Sequence, residues 1–421
     1  MTPFRFDPYD ARFFADPAPA FARLRDEFPC YRHPDRGFWV LSRFEDVWQA
    51  LREPEVFCSG RGITLLDEQN AAAPPMMLAM DPPRHGVLRT KVNRAFTPRR
   101  TASLEAGIRA RTDALLDRLA ARGEGDLVAD FAVPLPTAVF AELLGVPESQ
   151  REQFRHWADA TCAMSPEPAA MAAGRRAMEE LAALFSELAA LRRRRPAGDL
   201  ISDLVAATEA RASDTRAETR ADIGAGAGDA SGPLTQEELI GFCLLLLAAG
   251  LETTASLIAT GALRLAQHPD QRAWLAAHPE AIPGAVEEMV RFDSPIPGNA
   301  RTLTRDVERH GETMRAGEKV LLLFAAANRD PRVFPDGDRF DVRRAIERHV
   351  AFGHGIHFCL GASLARLEAR VAFEALLRRF PDHALATRCE WTQLVPTRAP
   401  VSLPMRIRPN DTSRSPGHRI A

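Results

Sequence analysis

Residues 352–361 read Phe-Gly-His-Gly-Ile-His-Phe-Cys-Leu-Gly and run straight into ASLARLEARVAFEALLRRF at 362–380. The apolar spacing of the second stretch predicts a long helix from Leu360 to Phe380. Two glycines, then a cysteine, then an immediate helix make a loop whose backbone can lie close to a flat ligand. The Cys359 sulfur falls at the helix N-terminus, where amides and the helix dipole stabilise a thiolate. Such a thiolate suits a metal or an electrophile. It is one of the few protein ligands of haem iron, to which it donates density that favours O–O cleavage. A free cysteine otherwise packs as a small hydrophobe, and that reading holds for Cys30, Cys58, Cys162, Cys243 and Cys389. None shows CxxC spacing, which argues against a zinc knuckle or a disulfide framework.

Upstream, Thr235-Gln-Glu-Glu238 supplies a capping box before an apolar run that keeps helical character to Gln267, stopped by His268-Pro269. A helix over 235–267 would be nearly 50 Å long at about 1.5 Å per residue, and one so apolar must cross the centre of the molecule. Further amphipathic helices are expected over 101–123, ended by Gly123, on both sides of a break at Gly145-Val146-Pro147, and over 171–195 with its terminal arginines. Strands are expected at 38–42, 319–324 and in the alternating VSLPMRIRP near the C-terminus. The fold class is mainly α with a minor β part. The chain is expected to form one domain, with the Ala-, Gly- and Asp-rich stretch 206–232 as a flexible insertion. GAGAGD at 224–229 follows no expected strand and is rejected as a dinucleotide loop.

Hydrophobic residues at 46% and charged residues at 26% of 421 positions match a globular protein with a large core. A net charge of −2 provides no global field to recruit nucleic acid or an anionic membrane. The N-terminal MTPFRFDPYDARFF lacks the apolar core of a signal peptide. The longest apolar run, Leu239 to Leu251, is shorter than the roughly 20 residues that a membrane span needs. A cytoplasmic protein with reduced thiols is expected.

The stretch FGHGIHFCLG strongly resembles the haem-binding loop of the cytochrome P-450 monooxygenases, with Cys359 as axial ligand and Phe352, Gly353, His357 and Gly361 beside the cofactor. Three further segments resemble the same family in the same order. Ala249-Gly-Leu-Glu-Thr-Thr254 is similar to its oxygen-activation motif, which implies proton relay by Glu252 and Thr253; Gly250 and Ala249 leave room beside a ligand, and Thr253 can bond a carbonyl one turn back. Glu288 and Arg291 match its ExxR pair, a structural brace, joined in the family by a meander arginine for which Arg339 is the choice. Asp81-Pro-Pro-Arg-His85-Gly-Val-Leu-Arg89 opens a helix whose His85 and Arg89 the resemblance places on the haem propionates, together with Arg301 and His357.

The resemblance covers about residues 10–408. It implies haem b, an apolar small-molecule substrate (a steroid, terpenoid, macrolide or other natural product), dioxygen, and electrons from a ferredoxin and its NAD(P)H-dependent reductase, in a protein acting as a monomer. Alignment with the family lines the pocket with Met76, Met77, Leu78, Leu245, Ala248, Ala249, Ile296, Pro297, Leu394 and Val395, and the small Gly298 suggests room. Arg94, Arg99, Arg100, Arg366 and Arg370 are candidates for a basic docking patch on the Cys359 side. Two other functions stay open: a peroxide-using haem-thiolate enzyme, against which the Glu252–Thr253 pair speaks, and a haem-based sensor, for whose output module no residues remain.

Overall fold

The computed structural model of the protein describes residues 4–10, 16–67, 70, 76–93, 96–162, 168–209, 234–387, 389–391 and 397–407. Its principal helices are α1 (Arg84–Asn93), α2 (Glu105–Arg122), α3 (Pro134–Leu143), α4 (Arg151–Cys162), α5 (Pro168–Arg194), α6 (Gln236–Gln267), α7 (Ile282–Phe292) and α8 (Ala362–Arg379). α2 stops at Gly123, whose φ of 73° lets the chain turn into the left-handed conformation that ends a helix. α6 starts on the expected capping box: the Glu238 N–H donates to Thr235 Oγ1 (3.1 Å), and the Thr235 N–H donates to Glu238 Oε2 (2.9 Å).

α6 is the axis of the largest hydrophobic core and packs against α3, α4, α5, α7 and α8. It is the one described helix long and apolar enough to cross a membrane, and most of it is buried inside the protein. Its apolar character on several faces follows from having neighbours all round. Gly250 serves this packing: a Cβ there would lie 2.1 Å from the Phe140 ring of α3. The expectation that Gly250 makes room for a ligand is therefore corrected; the space is taken by Phe140.

The minor β part is built on a five-stranded sheet of β1 (Cys30–Arg32), β2 (Trp39–Leu41), β3 (Phe57–Cys58), β4 (Asn299–Leu303) and β5 (Lys319–Leu322), in the order β1-β2-β5-β4-β3. Only β2 and β5 run parallel, with Trp39 opposite Val320 and Leu41 opposite Leu322; the other pairs are antiparallel. Two smaller cores pack on this sheet, one around Phe44, Phe57 and Leu322 and one around Phe21, Val40 and Leu323. The strand expected to reach Phe324 ends at Leu322, and Phe324 opens a short helix. VSLPMRI divides into strands Pro400–Ser402 and Pro404–Arg406, which belong to different sheets. Pro404 brings no N–H to a ladder, and the neighbouring Leu403 N–H goes to Asp126 Oδ1 at 2.9 Å. Of the expected insertion, residues 206–209 are the last turn of helix Leu200–Glu209, and 210–232 lie outside the described residues.

α7 is joined to the chain beyond the sheet by a buried ion pair. Arg291 Nε and Nη2 donate to the two oxygens of Glu288 at 2.6 and 2.8 Å, and both side chains are 0% exposed. Arg291 Nη1 also donates to the carbonyls of Asn328 (2.6 Å) and Gly337 (2.9 Å), while Glu288 Oε1 accepts the Asp341 N–H (2.9 Å). Arg339 is not in this network. Its side chain is exposed and, among the described residues, pairs with Asp341 at 3.9 Å. Arg344 approaches Glu288 instead, at 3.3 Å, and donates to the carbonyls of Pro335, Asp336 and Arg339. Spacing alone does not choose among Arg339, Arg343 and Arg344; the tightness of the meander around Arg344 does.

Removing one partner from a buried, fully bonded pair costs about 3–5 kcal/mol because the other charge is left uncompensated. Arg291→Ala should lower unfolding stability by about that amount in urea titration. A loss below about 1 kcal/mol would contradict the bracing role.

Candidate active site

The Cys loop is shaped by two left-handed glycines, Gly353 (φ 69°) and Gly355 (φ 68°). At Gly355 a Cβ would also sit 2.3 Å from the Leu51 carbonyl oxygen. The turn they permit is closed by Cys359 N–H to the Phe352 carbonyl (2.8 Å) and Phe358 N–H to the Gly355 carbonyl (3.1 Å). It delivers the Cys359 sulfur to the start of α8, where the N–H groups of Gly361 and Ala362 bond it. Cys359 is the exposed one among the described free cysteines, although protein surrounds it closely enough that burial pushes its thiol up. The two N–H groups and the charges of Arg89 and Arg366 pull it down. Arg366 lies over the Phe352 ring (4.4 Å) and is held by Glu287 at 2.6 and 2.9 Å.

Beside the loop, four of the expected cofactor contacts come together. His85, buried in α1, has its ring centroid 4.3 Å from that of His357, the two planes tilted by 52°. Arg301 projects from β4 with 4% exposure, and its Nη1 donates to the Ala300 carbonyl (2.8 Å). Arg89, one turn beyond His85, donates to the Phe358 carbonyl (2.7 Å). α1 is tied to the start of α6 by Arg84 Nε, which donates to Glu238 Oε1 at 2.8 Å.

This cluster is positive and lacks a carboxylate of its own. The nearby Asp81 is engaged by the N–H groups of Ser59 and Gly60, both at 2.8 Å. His357 is pushed down to about 3 by burial and by the charges of His85, Arg301 and Arg89. Arg301 is pushed down to about 10, chiefly by burial. His85 Nε2 and His357 Nε2 are buried with no hydrogen-bond partner among the described residues. Two orphaned ring nitrogens and two guanidiniums in one cluster fit a ligand that carries two carboxylates, as haem does. Cys359, beside the same cluster, is of the residue type whose thiolate such a ligand's iron would take.

The middle of α6 presents a different chemistry. Ala248 and Ala249 are exposed there, halfway along a helix that is otherwise largely buried. Thr253 Oγ1 donates to the Ala249 carbonyl one turn back, at 2.6 Å. Burial raises the Glu252 carboxyl above its usual range, with the nearby Thr397 side chain pulling against it. Of the expected pocket wall, Met77 is buried, and Met76, Leu78, Leu245, Ile296 and Pro297 are half-buried. Leu394 and Val395 lie outside the described residues, as does Arg94. Gly298 does not signal a roomy pocket: a Cβ there would lie 2.5 Å from the Leu322 carbonyl oxygen, so its size serves the crossing of β5.

The arginines of the Cys359 side are largely spoken for. Arg366 is bound to Glu287, Arg370 to Glu105 (2.8 Å) and Glu374 (2.9 Å), and Arg100 to Asp203 (2.6 Å). Arg99 is exposed. The sequence pattern missed one residue. Glu368, nine positions beyond Cys359 in α8, is fully buried with neither oxygen bonded to protein and is pushed up to about 8 by burial. Its appearance among the apolar positions of ARLEARVAF was the available signal.

A cysteine sulfur at a helix N-terminus, beside a cluster of cations and histidines fit for two carboxylates, defines a haem-thiolate protein. The family model "Cytochrome P450" matches residues 281–402. The vitamin D(3) 25-hydroxylase of Pseudonocardia autotrophica is 42% identical over 387 residues, covering 90% of each chain. Among solved structures, cytochrome P450 CYP109Q5 from Chondromyces apiculatus superposes with a TM-score of 0.83 at 36% identity, over 96% of this chain and 99% of that one. CYP109E1 from Bacillus megaterium in complex with corticosterone gives 0.81 at 28% identity, over 94% and 99%. The chain belongs to the cytochrome P450 family, monooxygenases that incorporate oxygen from O2.

Two outcomes follow from this geometry. Arg301→Leu removes a charge-assisted donor worth about 1.5–3 kcal/mol, so haem affinity should fall about tenfold or more, read by haem transfer to apomyoglobin; unchanged transfer would count against the carboxylate assignment. Glu368 has a folded-state value raised from 4.5 to about 8, so it holds its proton in the folded protein and loses it on unfolding across that window. Its contribution destabilises increasingly as pH rises from about 4.5 to 8. Glu368→Gln should therefore stabilise the protein more at pH 8 than at pH 5, measured by thermal melting; an equal effect at both would contradict the buried-acid reading.

Proposed function

We propose that this monooxygenase hydroxylates an apolar, polycyclic small molecule of steroid or secosteroid type, with electrons supplied by an external ferredoxin and its reductase. The acid–alcohol pair Glu252–Thr253, beside the exposed face of an otherwise buried central helix, carries this reading over the peroxide-using alternative. The substrate class draws on two relatives, one named as a vitamin D(3) hydroxylase and one solved with corticosterone. The apolar wall residues Met76, Met77, Leu78, Leu245, Ala248, Ala249, Ile296 and Pro297 suit such a substrate, since binding sites of this kind are mostly apolar.

Haem b, held by Cys359 and by His85, Arg89, Arg301 and His357, would supply an iron centre that reduces dioxygen, tuned by thiolate donation. The chain's own residues do the rest. Phe352, Gly353 and Gly361 give the loop its shape beside the cofactor. Glu252 holds a proton at its carboxyl more readily than an exposed glutamate because burial disfavours its charge. Thr253 donates its own proton to the Ala249 carbonyl, which leaves the hydroxyl oxygen free to accept from a water and keeps its rotamer fixed. Together they pass protons along one face of α6, while the apolar wall keeps bulk water out. Electron delivery is assigned to the Cys359 face. With Arg100, Arg366 and Arg370 already ion-paired, exposed Arg99 and shape complementarity carry more of the docking than a free basic patch would. The protein acts as a cytoplasmic monomer in this reading.

Thr253→Ala should uncouple turnover: with surrogate ferredoxin and reductase, NAD(P)H consumption continues while peroxide release per NAD(P)H rises several-fold. Retained coupling would remove Thr253 from the relay. A steroid panel should give spin-state shifts on binding and hydroxylated products with NAD(P)H. Turnover with peroxide alone, at an equal rate, would favour the peroxide-using enzyme.

A further inference from the structure

We propose that Asp293 is a positioning residue for the pocket wall, a single buried carboxylate that ties the segment carrying Ile296 and Pro297 to α6 and to the C-terminal segment at once. The inference rests on the pocket-wall reading above and names a residue outside the wall, the Cys loop and the Ala249–Thr254 motif.

Asp293 follows directly on α7, two residues before Pro295, and its side chain is 2% exposed. Three guanidiniums converge on it. Arg264, in the last turn of α6, donates through Nε to Oδ2 (2.6 Å) and through Nη2 to Oδ1 (3.1 Å). Arg398 of the C-terminal segment donates through Nη1 to Oδ1 (2.6 Å), and Arg329 reaches the same oxygen through Nη2 at 3.3 Å. Burial pushes the Asp293 carboxyl up, but the charges of Arg264 and Arg398 outweigh it and hold the group well below the usual range. One carboxylate cannot neutralise three buried cations. Asp338 shares Arg329 at 3.5 Å, and aromatic faces take up part of the remaining charge: Arg329 lies 3.9 Å from the Phe292 ring centroid and Arg398 lies 3.8 Å from that of Trp391.

The same three elements are joined through the backbone where the wall begins. The Arg398 N–H donates to the Pro295 carbonyl (2.9 Å), and the Ser256 hydroxyl of α6 donates to the Arg398 carbonyl (2.9 Å). Asp293 therefore reaches α6 through Arg264, the C-terminal segment through the tip of Arg398, and the wall through its own chain. Ser256 lies about one turn beyond Glu252, and Arg264 about two turns further, so the wall is fixed against the stretch of α6 that follows the acid–alcohol pair. Further along the wall, the Ala325 N–H donates to the Pro297 carbonyl (2.9 Å) and the Ala300 N–H donates to the Ile63 carbonyl (2.8 Å). Those bonds hold the wall to other elements, while the Asp293 junction holds its start against α6. Without the negative charge of Asp293, Arg264 and Arg398 would meet as uncompensated buried cations, and their repulsion would part α6 from the C-terminal segment and release the wall between them.

The test measures binding of phenylimidazole and of imidazole to the holoprotein by difference spectroscopy, with no turnover. Both ligate haem iron through a ring nitrogen, but the phenyl group needs an apolar wall beside the site and imidazole alone does not. The parent should bind phenylimidazole more tightly than imidazole. Asp293→Asn should weaken phenylimidazole several-fold and leave imidazole unchanged, and Arg398→Met, which keeps an apolar chain beside Trp391, should do the same. The double variant Asp293→Asn/Arg398→Met should equal the more impaired single one, since members of one network are not additive. Arg329→Met controls for general loosening: it removes a similarly buried partner of Asp293 that comes from neither α6 nor the C-terminal segment, so it should lower the melting temperature and leave the ratio of the two affinities at the parent value. Should Asp293→Asn not fold, Arg398→Met decides the matter against the same control. A parent without preference for phenylimidazole would remove the pocket-wall reading and the proposal with it. A parent with that preference, retained in Asp293→Asn and Arg398→Met, would overturn the positioning role alone, as would an equal loss of preference in Arg329→Met.

Discussion

Everything in this molecule is arranged around one sulfur that must be anionic while surrounded by protein. Burial alone drives a thiol toward its neutral form. At Cys359 burial still prevails and the thiol lies above its ordinary value, with two N–H groups at the head of α8 and the charges of Arg89 and Arg366 working against it; in the proposed reading a bound iron would complete the shift to thiolate. That solution requires a turn tight enough to bring the cysteine to the helix start, hence the left-handed Gly353 and Gly355. It also requires α8 to be held rigidly against α6 and α7, which the core and the buried Glu288–Arg291 network accomplish. A buried ion pair is not evidence of net stability; here it fixes the meander that leads into the Cys loop.

The second constraint is electrostatic imbalance. His85, Arg89, Arg301 and His357 come from α1, β4 and the Cys loop; burial and the charges of the other three depress the protonation of His357, and burial lowers Arg301. A protein that kept such a cluster without an anionic partner would forfeit stability, because partly desolvated like charges repel. A cofactor with two carboxylates relieves that repulsion and fills the orphaned nitrogens at the same time. Burial of the opposite kind acts at Glu252 and Glu368, where apolar surroundings keep carboxyl groups protonated to higher pH than in water.

Much of this was legible in the order of residues. The loop 352–361, the capped central helix, the break at Gly145–Pro147 and the His85/Arg89 spacing each carry a local rule, and each is found where the rule puts it. What the sequence hid was contact between distant segments. Gly250 and Gly298 read as space for a ligand, yet each accommodates a protein neighbour, the Phe140 ring and the Leu322 carbonyl. Arg339 and Arg344 are indistinguishable by type, and only the folding of the meander separates them. The arginines of the Cys359 side read as a patch until their acidic partners, from other helices, neutralise them.

The central claim is thiolate ligation by Cys359. It is tested most directly by the ferrous carbon monoxide difference spectrum of the purified holoprotein, with Cys359→His beside it. The account predicts a Soret band shifted far to the red for the parent and its return to the histidine position in the variant. A histidine-like band in freshly prepared, fully loaded parent protein, or a red-shifted band that survives loss of Cys359, would contradict it.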